Sequence, residues 1–193
     1  GNSLIGIDAS GLELRMLAHY MKDEDYKNEI LHGDIHTANQ NMAGLETRDQ
    51  AKTFIYALIF GAGNLRMGQV IGKGAQAGAL IKRKFFNEIP ALNKLMTAVK
   101  RGSAKGFLYG LDKRKIKIRS SHSALNALLQ SCGAIICKQF LIEFNKSLLK
   151  NKLVHKANQV AWVHDEIQVE ADEDVAELVG KLAVEAIEKS GTH

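Results

Sequence analysis

Four residues at every fourth position, Arg48, Lys52, Tyr56 and Phe60, place two cations and then two aromatic rings along one predicted helix. Steps of four residues drift slowly around a helix, so the ladder runs roughly 18 Å along nearly one face. Ala51, Phe54, Ile55, Leu58, Ile59 and Ala62 follow the i, i+3, i+4, i+7 spacing of a buried face on the same helix. Thr47 with Gln50 reads as a capping box, which puts the cations at the helix N-terminus. The helix dipole and unpaired backbone N–H groups favour a polyanion there. A triphosphate carrying a sugar and a base has this polarity. An ordinary surface helix, with solvated cations and aromatics extending the core, has the same spacing.

Carboxylates form the second candidate group. Leu4-Ile5-Gly6-Ile7 is a short apolar strand that ends at Asp8, and a turn and the helical pattern LELRMLAHYM follow. A carboxylate closing a buried strand needs a cation or metal, or it caps the next helix. Val160 to Glu170 reads as two short apolar strands around His164, Asp165 and Glu166, three ionisable residues at a hairpin tip that packing does not explain. Two other patterns carry no chemistry. His32 and His36 lack the Glu of a zinc-binding H-E-x-x-H, and GQVIGKGA is one residue short of a phosphate loop, with Gly74 where Ser or Thr belongs.

Two stretches suggest contact with a polyanion or with base edges. Lys100 to Arg119 holds eight basic residues and one acid, and Lys113 to Arg119 alternates as a strand with Lys115, Lys117 and Arg119 on one face. Such an edge suits a phosphate backbone, or is a solvated hairpin. His122, Asn126 and Gln130 form a polar stripe on an otherwise apolar helix, His122 to Leu149. Amides there satisfy one another or the rest of the protein, or donate to the minor-groove acceptors that every base pair presents.

The elements that must position these residues come from an ordinary globular composition. Of 193 residues, 46% are hydrophobic and 24% charged, which permits one domain or two packed subdomains and excludes a disordered chain. The net charge of +5 is mild evidence for a polyanionic partner. No apolar run is expected to span a membrane, no signal peptide is recognised, and Cys132 and Cys137 are read as reduced core residues, so a cytoplasmic location is expected. The sequence opens without Met and enters a strand almost at once, as a piece of a longer protein would. Gln76 to Lys84 and the stretch from Ala91 read as helices separated by Pro90, and Asp172 to Lys189 as an amphipathic scaffold helix.

Four separated motifs, in order, resemble the DNA polymerase I family (family A), with TFIY around Tyr56 similar to its phage replicative branch: DASGLELR, GDIHT, the Arg48 to Gly63 stretch and VHDE, supported by HSALNALLQ. The resemblance covers nearly the whole chain. It implies that Asp8, Asp165 and the Ala9 carbonyl hold two magnesium ions, with Glu166 in support. Arg48, Lys52 and His36 would bind the phosphates of a deoxynucleoside triphosphate, with Lys52 also aiding departure of pyrophosphate. Ser10, Gly11, Glu13 and Tyr56 would line the nucleotide, Glu13 on the 2′ side of the sugar within reach of Tyr56. Phe60, Gly61, Lys115, Lys117, Arg119, Asn126, Gln130 and His164 would meet primer-template DNA. Two departures stand out: Phe60 occupies a position where many relatives carry Tyr, and the segment from Pro90 to Leu111 is shorter than in some phage relatives.

The expected fold is α+β, a small antiparallel palm sheet backed by long helices, with palm segments at 1–32 and 91–193 and a helical fingers lobe at 33–90. The family's thumb, any exonuclease domain and any processivity-factor site fall outside the matched stretches. The implied reaction is template-directed transfer of deoxynucleotides to a primer 3′-hydroxyl. A two-metal nuclease and a noncatalytic DNA-binding fragment are the alternatives. The paired carboxylates serve a nuclease equally well, but the cation–aromatic ladder does not.

Overall fold

The computed structural model describes residues 1–191. Its elements are β1 (Asn2–Asp8), α1 (Leu12–Met21), α2 (Glu24–His32), α3 (Ile35–Ala43), α4 (Arg48–Ile59), α5 (Asn64–Gln69), α6 (Ala75–Glu88), α7 (Pro90–Ser103), β2 (Phe107–Tyr109), β3 (Lys115–Lys117), a 3-10 turn (Ser121–Ser123), α8 (Ala124–Lys150), β4 (Ala157–Val163), β5 (Glu166–Asp172) and α9 (Ala176–Ser190). The expected α+β class holds. The chain forms two compact units: residues 1–12 with the chain from Cys132 onward, and Glu13–Ser131.

The first unit is built on an antiparallel sheet of order β1-β5-β4. Ile7, Ile167, Val169 and Ala171 turn one sheet face to Phe140, Phe144 and Leu148 of α8 and to Val179, Ala183 and Ala186 of α9. This is the period-2 pattern of strands meeting the helical period of the elements that cover them. Within this core Glu143 is buried, accepting from Gln139 at 3.1 Å, Lys146 at 2.8 Å and Lys189. Helix α9 begins at Ala176, not Asp172. Asp172 ends β5 opposite Asn2, and Lys156 pairs with Asp172 and Asp174.

The second unit is helical apart from the β2-β3 hairpin. Ala51, Phe54, Ile55, Leu58 and Ile59 bury the predicted face of α4, with Phe54 edge-to-face on Phe85 of α6 at 5.2 Å. Ala62, expected in that face, is only half-buried, because α4 ends at Ile59 with Phe60 as its cap. The glycine-rich stretch after α4 serves helix packing: a Cβ on Gly68 or Gly78 would lie 2.0 Å from the carbonyl oxygen of Gly74 or Asn64. Pro90 is the first residue of α7, where its missing N–H costs nothing.

Two expected elements are shorter than the pattern suggested. Strand β3 covers only Lys115–Lys117, so Arg119 lies beyond the ladder, and Arg114 turns back to pair with Asp112. Helix α8 starts at Ala124, because Ser120 caps the preceding 3-10 turn through the His122 amide, which sets His122 outside the regular helix. Contrary to expectation, the stretch Ser121–Lys150 has the length and composition of a membrane-crossing helix. Its residues Leu125, Leu129, Cys132, Phe140 and Phe144 are buried in the protein itself, whereas Ile142 and Leu149 are exposed.

Candidate active site

The first unit carries the carboxylates. Antiparallel pairing of β1 with β5 sets Asp8 opposite Glu166, and the Ala9 N–H donates to the Asp165 carbonyl at 3.2 Å. Asp8 and Asp165 thus lie at adjacent strand ends, as the two motifs implied. Contrary to the expectation of a carboxylate at a buried strand end, Asp8 is exposed, so desolvation is not what singles it out. β4 and β5 close in a two-residue turn, His164-Asp165, and His164 takes a left-handed φ of 58°. The Trp162 indole N–H holds the His164 carbonyl at 2.8 Å, and Glu166 accepts from Gln168 beside it. Ser10 and Gly11 form the turn into α1, Gly11 at φ 64°.

Cys137 of α8 reports on this pair. Its thiol is pushed up to about 11, first by burial and then by the negative charges of Asp165 and Asp8. Both carboxylates therefore bear on one buried point. Among the described residues no group of three or more His, Cys, Asp and Glu side chains is arranged around a metal. Two carboxylates with a nearby backbone carbonyl nevertheless suit magnesium, a hard cation that keeps water or substrate oxygens in its remaining positions.

The second unit carries the ladder. The capping box forms as predicted, with Gln50 N donating to Thr47 Oγ1 at 3.1 Å and Thr47 N to Gln50 Oε1 at 3.4 Å. Arg48 and Lys52 are exposed, Tyr56 is half-buried and Phe60 is 54% exposed at the helix exit. His36 joins them from α3, its ring 6.3 Å from that of Tyr56. Burial, then the charge of Arg48 and, more weakly, that of Lys52 depress its basicity, partly offset by Asp34. His36 Nδ1 is buried without a hydrogen-bond partner among the described residues.

Several predicted residues have protein partners. Gln130 Nε2 donates to Glu13 Oε1 at 3.1 Å, engaging both the residue expected at the sugar and one expected at DNA. Asn126 is half-buried, its Oδ1 unpaired among the described residues. Lys115 Nζ sits 4.6 Å above the Phe107 ring, and Lys117 and Arg119 are exposed. Gly61, at φ 78°, has its constraint inside the chain: an added Cβ would lie 1.9 Å from the His122 carbonyl oxygen. Sequence reasoning missed Asp34. It caps α3 through the amides of His36 at 3.0 Å and Thr37 at 3.4 Å, and grips Arg48 with Nε–Oδ2 at 2.7 Å and Nη2–Oδ1 at 3.2 Å. The cap is a local pattern that an Asp just before a helix can signal, while a partner fourteen residues away has no local signal.

One unit thus carries carboxylates at paired strand ends of an antiparallel sheet, and the other carries a cation–aromatic ladder on a capped helix. The sequence model of DNA polymerase family A matches residues 1–193, and the chain belongs to that family. It is similar to the DNA-directed DNA polymerase of Escherichia phage T7, 44% identical over 211 residues covering 97% of this chain and 30% of that protein. The DNA-directed DNA polymerase of Enterobacteria phage T3 is 43% identical, again over 97% of this chain and 30% of the relative. The chain thus spans about 30% of the length of these relatives. The solved POL domain of Pol1 from M. smegmatis, in complex with DNA primer-template and dNTP, shares the fold at TM-score 0.85 with 20% identity, covering 97% of this chain and 36% of that one.

Proposed function

We propose that the protein to which this chain belongs is a template-directed DNA polymerase that adds deoxynucleotides from triphosphates to a primer 3′-hydroxyl. The observation that carries this reading is the pairing of β1 with β5, which sets two motif carboxylates at adjacent strand ends in a chain of this family. The activity for which the relatives are named and the capped cationic ladder support it.

Asp8 and Asp165, with the Ala9 carbonyl, are the residues that would hold two magnesium ions, and Glu166 supports the turn beside them. Bound magnesium would supply a more acidic attacking hydroxyl and charge neutralisation on the leaving group. Arg48, His36 and the N-terminus of α4 bind the triphosphate, and Lys52 donates charge or a proton toward the departing pyrophosphate. Tyr56 packs against the sugar, and Phe60 stacks at the helix exit. Lys115, Lys117 and Arg119 take phosphates of the DNA backbone, whereas Asn126, Gln130 and His164 contact the primer-template near the growing end. Ser10, Gly11 and Glu13 border the nucleotide. A processivity factor binding elsewhere on the full-length protein, a palm and fingers division at residues 33 and 90, and action in the cytoplasm complete the reading.

The test uses the full-length protein with labelled primer-template, magnesium and triphosphates. Asp8→Ala and Asp165→Ala should each abolish extension while leaving primer-template binding nearly intact, since these ligands serve the transition state more than the duplex. Substantial extension by either variant removes that residue from catalysis. Primer shortening by the wild type would favour the nuclease alternative, and an unchanged primer the noncatalytic one.

A further inference from the structure

Asp34 has a double engagement that its capping role does not require. Its carboxylate accepts the His36 amide, the Thr37 amide and, at 3.0 Å, the Thr37 hydroxyl, and it also takes two N–H groups of Arg48. A carboxylate offers about four acceptor sites, so five donors crowd it. If Arg48 leaves, three donors from its own helix turn remain, and the carboxylate is still satisfied. The departure is therefore cheap on the Asp34 side. On the Arg48 side, the edge in use, Nε with one Nη, presents the two parallel donors that also suit a phosphate. The pair is accessible, with side chains 49% and 43% exposed, so a soluble anion can reach and exchange it.

We propose that Asp34 is a positioning residue that stands in for a phosphate: it holds Arg48 at the ladder's cationic end before nucleotide arrives, yields it to the triphosphate, and recaptures it as pyrophosphate leaves. This rests on the reading above that Arg48 binds the triphosphate. The exchange is one of hydrogen bonds and ion pairing only. Because the carboxylate is anchored at the N-terminus of α3, it marks a fixed point from which Arg48 moves and to which it returns. The α3 turn that anchors it also carries His36, so the two phosphate-facing groups share one anchor.

The experiment measures inorganic pyrophosphate, both as a binding probe by calorimetry and as a product inhibitor of primer extension, on the full-length protein. Asp34→Asn keeps a capping side chain but loses the charge, and Asp34→Ser caps through a hydroxyl that cannot grip a guanidinium twice. Both should bind pyrophosphate more tightly, by roughly two- to fivefold, the scale of an exposed ion pair. The gain should vanish when Arg48→Ala is added. A residue that merely supports the fold would lose affinity when replaced and never gain it. Unchanged or weaker binding in both Asp34 variants, with Arg48→Ala still costing affinity, overturns the stand-in role alone. A gain that persists without Arg48 also overturns it. No effect of Arg48→Ala by itself overturns the phosphate role of Arg48, and this proposal with it.

Discussion

Replacing Gly61 by Ala should destabilise the protein by an amount the structure allows to be worked out. The added Cβ would stand 1.9 Å from the backbone oxygen of His122, well inside the 3.0 Å that real Cβ atoms keep, and the neighbour is backbone that no rotamer change can clear. The position also holds φ 78°, which costs a residue with a Cβ about 1–2 kcal/mol. Forcing packed segments apart costs about 1–3 kcal/mol, and the stiffer unfolded chain returns about 0.4–1 kcal/mol. The net loss is about 2–4 kcal/mol, which for a chain of this size lowers Tm by roughly 4–15 °C. Gly63→Ala is the control: that position has φ −72° and nothing within 4 Å of an added Cβ, so a change of about 1 kcal/mol or less is expected. Thermal unfolding followed by far-UV circular dichroism decides between them. Equal Tm values for the two variants would refute the reasoning. Unchanged stability together with weaker primer-template binding would return Gly61 to close approach by DNA.

Glu143 predicts a pH dependence. Hydrogen bonds from Lys146 and Lys189 hold its carboxyl down to about 2 from an ordinary 4.5, so its stabilisation is complete above pH 4.5 and is lost as pH falls from there toward 2. Tm measured across that interval should fall less steeply for Glu143→Gln than for the wild type, and parallel curves would remove Glu143 from the acid transition. Replacing Lys115 and Lys117 with Ala should weaken DNA binding without base preference and make the log-log salt slope shallower by roughly one unit for each phosphate no longer neutralised, so an unchanged slope marks the hairpin as merely solvated. Tyr56→Phe should discriminate against dideoxynucleotides by roughly one to two orders of magnitude in kcat/KM while deoxynucleotide use changes little, because the phenol hydroxyl replaces a polar contact that the missing 3′-hydroxyl would make. Equal ratios in wild type and variant would show that Tyr56 does not face the sugar.

The sequence by itself determined whatever depends on neighbours along the chain. The Thr47–Gln50 box, the buried face of α4, the ladder spacing and the hairpin around His164 and Asp165 are local patterns, and each formed where its period or turn placed it. The order of the motifs also fixed the family. Only tertiary structure decided what depends on partners far along the chain. The register that sets Asp8 opposite Glu166 joins residues 158 positions apart and follows from which sheet face is buried, since a shift of one residue would turn Ile7 and Ile167 outward. The exposure of Asp8 was likewise invisible, because an apolar strand does not reveal whether its last residue clears the core. Arg48 on Asp34, Gln130 on Glu13, and Gly61 beneath the His122 carbonyl are meetings of separate segments that no spacing encodes. Side chains that looked available to a ligand in the sequence therefore have protein partners in the fold, because a charge or amide without its ligand takes the nearest complementary group.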